Sequence, residues 1–305
     1  MSGWRSTPLS TSSEPSLLAT VAAAWQLDPL VLAPLLAVGL CYVVGARRLA
    51  ARRRADRVTW RRTALFAAGY GALLVALVSP VHGLGEELFS LHMVQHLLLS
   101  LVAAPLLLLS NAMPVLLWGL PPEERRTIGR LVSSRGPARH LLGWLTQPLV
   151  AWWLFVGTQW LWHQPYAYQW ALENRWAHYG EHILFFATAA LFWWPVIGAA
   201  PLPSRFSYPA RMLYTFLAWI PNSILGAGIT LSTGLLYPFY RTPAAQLGVD
   251  PHTDQQMAGL LMWVPGDALF AGILLALFVA YVRQEERLGE RIDRELDARE
   301  LAAHQ

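Results

Sequence analysis

Seven mostly apolar runs, each about twenty residues long, constrain this chain more than any other feature. They fall near residues 29–46, 63–80, 90–110, 147–163, 178–198, 212–235 and 257–282. A run of that length crosses a hydrocarbon core roughly 30 Å thick as a helix, and in lipid only a helix or a closed barrel satisfies its own backbone. Composition points the same way: 55% of the residues are hydrophobic and 14% charged, against an apolar share of about 45–50% in soluble domains. The expected fold is all-α, a polytopic membrane protein built as a bundle of seven transmembrane helices. Its expected parts are an extracytoplasmic segment 1–28, a membrane domain 29–283 and a charged helical tail 284–305. The third stretch runs on through "PVLLWGL" to about residue 120, so a kink is expected at Pro105 or Pro114. The opening "MSGWRSTPLSTSSEP" lacks the basic start and cleavage site of a secretory signal, so the first span is expected to stay in the mature protein. Residues 15–27 suit a position along the interface.

Orientation follows from the arginines, which make up all 23 basic residues because the chain has no lysine. Arg47 to Arg62, Arg125 to Arg139, Arg205 and Arg211, and Arg283 to Arg299 all follow odd-numbered spans. Only Arg5, Arg175 and Arg241 lie on the other side. Basic loops stay in the cytoplasm, so the N-terminus is expected outside and the C-terminus cytoplasmic. A net charge of +4 is then explained by topology and contact with anionic membrane lipid, and no nucleic-acid partner is called for. The only cysteine, Cys41, lies inside the first span, which excludes a cysteine-pair metal site.

The nine histidines are unevenly placed on this topology. His82, His92, His96, His163, His178, His182 and His252 fall outside or in the outer leaflet; His140 and His304 do not. Residues four apart share one helix face, so His92/His96 and His178/His182 form two pairs of imidazoles, each able to grip an ion from one side. Imidazole suits zinc, copper, iron and nickel, and an ion offsets the cost of polar rings in an apolar setting. His92, His96, His178 and His182 are therefore the expected metal set, with His163 as a fifth candidate. Helical haem pairs that serve two stacked rings stand about 20 Å apart, whereas each pair here spans about 6 Å. One haem held by a histidine from each pair stays open.

Around these rings, Glu181 and Asp254 are candidate ligands or orienting carboxylates, and Met93 and Met257 offer the thioethers that copper(I) accepts. Any of them could equally be a helix cap or apolar filler. The Trp and Tyr of "WLWHQPYAYQW" and "FWWPV" fit an aromatic belt at the membrane interface. Asp267 lies within the last span, where an unpaired carboxylate is costly, so it needs a partner, with Asn222 the candidate and Ser223 close by. The chain carries no nucleophile–base arrangement, phosphate loop or HExxH helix, so it is not expected to be an enzyme.

Together "HMVQH" (92–96), "WHQPYAY" (162–168), "HYGEHILFFATAALFWWPV" (178–196), "LYPFY" (236–240) and "DQQMAGLLMW" (254–263) resemble the CtaG family of assembly factors for caa-type cytochrome c oxidases. The resemblance covers roughly residues 30–285. It implies a multi-pass protein of the bacterial plasma membrane that is needed to form active oxidase and helps to supply copper; a cytochrome c oxidase subunit and an extracytoplasmic copper donor are the expected partners. It assigns no ligand. A haem-binding membrane redox protein, a metal-free scaffold and a copper transporter remain alternatives.

Overall fold

The computed structural model describes residues 22–52, 58–131, 133, 136–199, 202 and 206–303. Arg5, Arg53, Arg54, Arg57, Arg135, Arg205, His304 and most of the 15–27 stretch lie outside these residues.

Among the described residues the chain is helical throughout, with no strand. Seven principal helices follow the apolar runs: α1 (Pro29–Ala51), α2 (Trp60–Val78), α3 (Phe89–Leu109), α4 (Pro148–Trp162), α5 (Arg175–Ile197), α6 (Tyr208–Thr230) and α7 (Pro251–Ala303). Six are long and apolar enough to cross a membrane unaided. The exception is α4, which becomes a seventh candidate span only with Pro137–Leu145, from which it is bent by 67°. The expected count of seven therefore stands as six or seven.

Local chemistry sets the helix ends. Asp28 caps α1 by accepting from the Leu30 N–H at 2.9 Å, with Pro29 in the first turn. Asn174 caps α5 through the N–H groups of Trp176 and Ala177. Each cap satisfies donors that the helix leaves unpaired. The third apolar stretch does not run on as one bent helix. It ends at Leu109, turns through Asn111 in a left-handed conformation (φ 50°) and restarts as Met113–Gly119. Inside α3 the turns widen to a π-helix over Leu98–Ala103, immediately before Pro105. Proline has no N–H for the preceding turn, and the Trp193 indole N–H, 2.9 Å from the Ser100 carbonyl, takes up backbone acceptor capacity there.

Two close backbone approaches lock the bundle. A methyl group on Gly259 of α7 would stand 2.5 Å from Thr230 Oγ1 and 2.7 Å from the Gly226 carbonyl of α6. One on Gly45 of α1 would stand 1.9 Å from the Val115 carbonyl. Small residues at such crossings let membrane helices pack where no hydrophobic force draws them together. The core runs through Leu101, Phe155, Phe192, Trp193, Tyr214 and Phe270, while Leu30, Leu36 and Leu40 of α1 face outward.

The charged tail is helical as far as Ala303 and continues α7, which runs unbroken from Pro251. Asp267 of α7 accepts a hydrogen bond from the Ser223 hydroxyl of α6. Its partner is therefore Ser223; the larger Asn222 side chain is buried beside Gly266 instead.

Candidate metal centre

Helices α3 and α5 begin at the same end of the bundle, and each carries its histidine pair in its first turns. Parallel packing in this register brings the faces together. The His92 ring lies 5.5 Å from His178 and 5.9 Å from His182, and His96 lies 5.8 Å from His182, centroid to centroid. His92 Nε2 and His96 Nε2 are 2.8 Å apart. All four rings are buried.

Glu181 lies between them. Its oxygens stand 3.8 Å from His92 Nε2 and 3.7 Å from His96 Nε2, and the residue is wholly buried. One ligand atom each from His92, His178, Glu181 and His182 can be chosen so that all lie within 4.8 Å of one another. Donors around a single transition ion, at bonds of about 2 Å, lie about 3–4 Å apart, so shifts of roughly an ångström would close this set on one ion. Polar satisfaction supports the same fit: His178 Nε2, His182 Nε2 and both Glu181 oxygens are buried without a hydrogen-bond partner. A buried carboxylate with no partner carries a large desolvation cost that a cation removes. The donor set is nitrogen and oxygen, suited to first-row transition ions.

The expected set is thus brought together with one addition and several displacements. Glu181 joins the centre of the group. His163, the fifth candidate, stands one layer out: its Nδ1 meets the Gln159 carbonyl at 2.7 Å and its Nε2 the Met93 sulfur at 3.3 Å. Met93 is accordingly buried beside the cluster, whereas Met257 is 47% exposed and faces away. Asp254 is not among the converging donors. It caps α3, accepting from the Phe89 N–H at 2.6 Å, the Ser90 N–H and the Ser90 hydroxyl. His252 is tied to the Ser232 carbonyl at 3.0 Å.

Two features lie outside the expected ligand set. His82, on the short helix Pro80–Gly85, stands 5.6 Å from both His178 and His182. Burial lowers its proton affinity below the ordinary imidazole value. The signal was its place fourteen residues before His96, hidden because the glycines around it break the helix. The second feature is an aromatic box. Tyr166 and Trp170 are exposed, as a belt requires, but Tyr168 is buried with its ring 5.2 Å from His92 and its hydroxyl 2.9 Å from that of Tyr240. Tyr237 donates to the His163 carbonyl at 2.8 Å. These tyrosines fix the walls of the site rather than facing a headgroup.

Comparison with known proteins places this architecture. Uncharacterized proteins of Mycobacterium bovis and Mycobacterium tuberculosis are each 27% identical to the chain over 293 residues, covering 93% of it and 43% of their own length. One from Mycobacterium leprae is 26% identical over 284 residues, covering 90% of the chain and 42% of its own length. The chain thus spans less than half the length of the curated relatives it matches. No solved structure matches. The sequence model for the cytochrome c oxidase caa3 assembly factor matches residues 40–284, from α1 to α7, and by that match the chain belongs to the cytochrome c oxidase caa3 assembly factor family.

Proposed function

We propose that this multi-pass protein holds a copper ion at the histidine–glutamate cluster and uses it in metallating or stabilising an oxidase subunit during assembly. The observation that carries the reading is the convergence of His92, His178, Glu181 and His182, with His96 beside them, on one buried point where His178 Nε2, His182 Nε2 and both Glu181 oxygens have no hydrogen-bond partner. Family membership supplies the oxidase. Copper follows from the family resemblance together with the imidazole donors and the nearby Met93 thioether. The arginine distribution supports an orientation in which the end of the bundle that bears the cluster faces the extracytoplasmic side of a bacterial plasma membrane, within reach of an external copper donor. The role is non-enzymatic. A haem fits less well, because six imidazoles already lie within 6.0 Å of a neighbouring ring.

Metal analysis of the purified protein tests this. The wild type is expected to retain copper, and His92→Ala/His96→Ala to lose it. Equal copper in both proteins would overturn the ligand set.

A further inference from the structure

The cluster is closed on most sides. Phe185 stacks on His96 at 4.0 Å, Tyr168 covers His92, and Met93 with His163 fills the side toward α4. It opens toward a cleft of about 660 Å³, where His82 and His178 are the only histidines in the lining. Gln26, Leu27, Asp28 and Pro29 line one side of the cleft. The Ala24 carbonyl presses on Gly83 so closely that a methyl group there would stand 2.2 Å away, and Gln26 N–H donates to the Val78 carbonyl at 3.2 Å. Asp28 holds Arg175 at 2.7 Å and Tyr179 at the head of α5. Glu86 lines the same cleft.

His82 therefore touches both compartments, and its bonding differs from that of the other rings. Its Nδ1 lies 2.8 Å from Gln95 Nε2, and the same amide nitrogen donates to the Ala76 carbonyl at 2.8 Å. The amide so donates to His82, occupying the Nδ1 lone pair and leaving the neutral ring with its proton on Nε2. In this state neither nitrogen of His82 is free to bind an ion. Giving up the Gln95 hydrogen bond frees Nδ1 without any change of charge or oxidation state.

We propose that His82 is the exchange ligand of this site: an ion moving between the cleft and the buried cluster passes from His178 to His82, whose Nδ1–metal bond replaces the Gln95 hydrogen bond. The inference rests on the copper reading and adds to it a route and a residue outside the resident ligand set. An entry path is a requirement for any buried metal site that fills and empties without unfolding.

The test is stopped-flow transfer of copper(I) from the purified full chain to a chromogenic copper(I) chelator, with bound copper counted beforehand and thermal unfolding of the metal-free protein measured alongside. His82→Ala is expected to keep the wild-type copper content and melting temperature while release and loading both slow by about tenfold or more. His252→Ala, which lies outside both the cluster and the cleft lining, is expected to exchange at the wild-type rate. Unchanged rates in His82→Ala, or loss of bound copper from it, would overturn the inference while leaving the copper reading intact. Absence of copper from the wild type would remove both.

Discussion

Two seams of α3 meet other helices at the same end of the bundle, and each buries a carboxylate. In the α3–α7 seam Asp254 accepts from two backbone N–H groups and a hydroxyl. In the α3–α5 seam Glu181 accepts from nothing, although four histidines surround it. Asp254 is a completed structural joint whose charge is matched by the free donors of a helix start. Glu181 is an uncompleted one. Evolution can tolerate a buried carboxylate without a partner where the missing partner arrives from outside, so the contrast separates what holds the bundle together from what it is built to hold.

Substitutions can break that contrast. The largest effect is expected at the seam with α5: Glu181→Gln lowers copper affinity by about 10–100-fold while the metal-free protein melts at or above the wild-type temperature. Copper titration and thermal unfolding of the same samples check both halves. Asp254→Ala is expected to do the reverse, lowering stability by about 1–3 kcal/mol because α3 loses its cap and buried donors lose their acceptor. Its copper stoichiometry, measured on the fraction that folds, stays at the wild-type value. If both variants lost stability and kept copper, the two seams would be alike and Glu181 merely structural.

Smaller effects sharpen the frame around the site. Gly259→Ala forces a methyl group against Thr230 and the Gly226 carbonyl, and thermal unfolding is expected to register a loss of about 1–3 kcal/mol with copper binding unchanged. Asp28 is the mildest case. The Tyr179 hydroxyl, the Leu30 N–H and Arg175 hold its carboxyl down to about 2 from an ordinary 3.8. Its folded value lies below the unfolded one, so the latch is fully present above about pH 4 and is lost as pH falls toward 2. Amide protection factors across residues 24–28, with the intrinsic pH dependence of exchange removed, should be constant from neutral pH to about pH 4 and fall below it; a fall that begins near pH 6 would contradict the latch.

The bundle was legible in the sequence because lipid leaves so few choices. Apolar runs located six of the expected spans to within a few residues, and the fourth only with the bent Pro137–Leu145 segment beside it. What escaped was set by side chains meeting across helices. Nothing local tells that Asp254 turns to the start of α3, or that Ser223 rather than Asn222 reaches Asp267. The histidine pairs were legible because four-residue spacing fixes their face, but their surroundings were not: Tyr168 reads as a belt residue until packing turns it inward. His82 lay behind a glycine-broken helix whose path no periodicity predicts.

X-ray absorption spectroscopy on the copper-loaded protein tests the central claim most directly. We expect a nitrogen/oxygen shell at about 2.0 Å with the outer scattering of imidazole rings, abolished in His178→Ala/His182→Ala. A wild type that takes up no copper, or a shell that survives that double substitution unchanged, would contradict it.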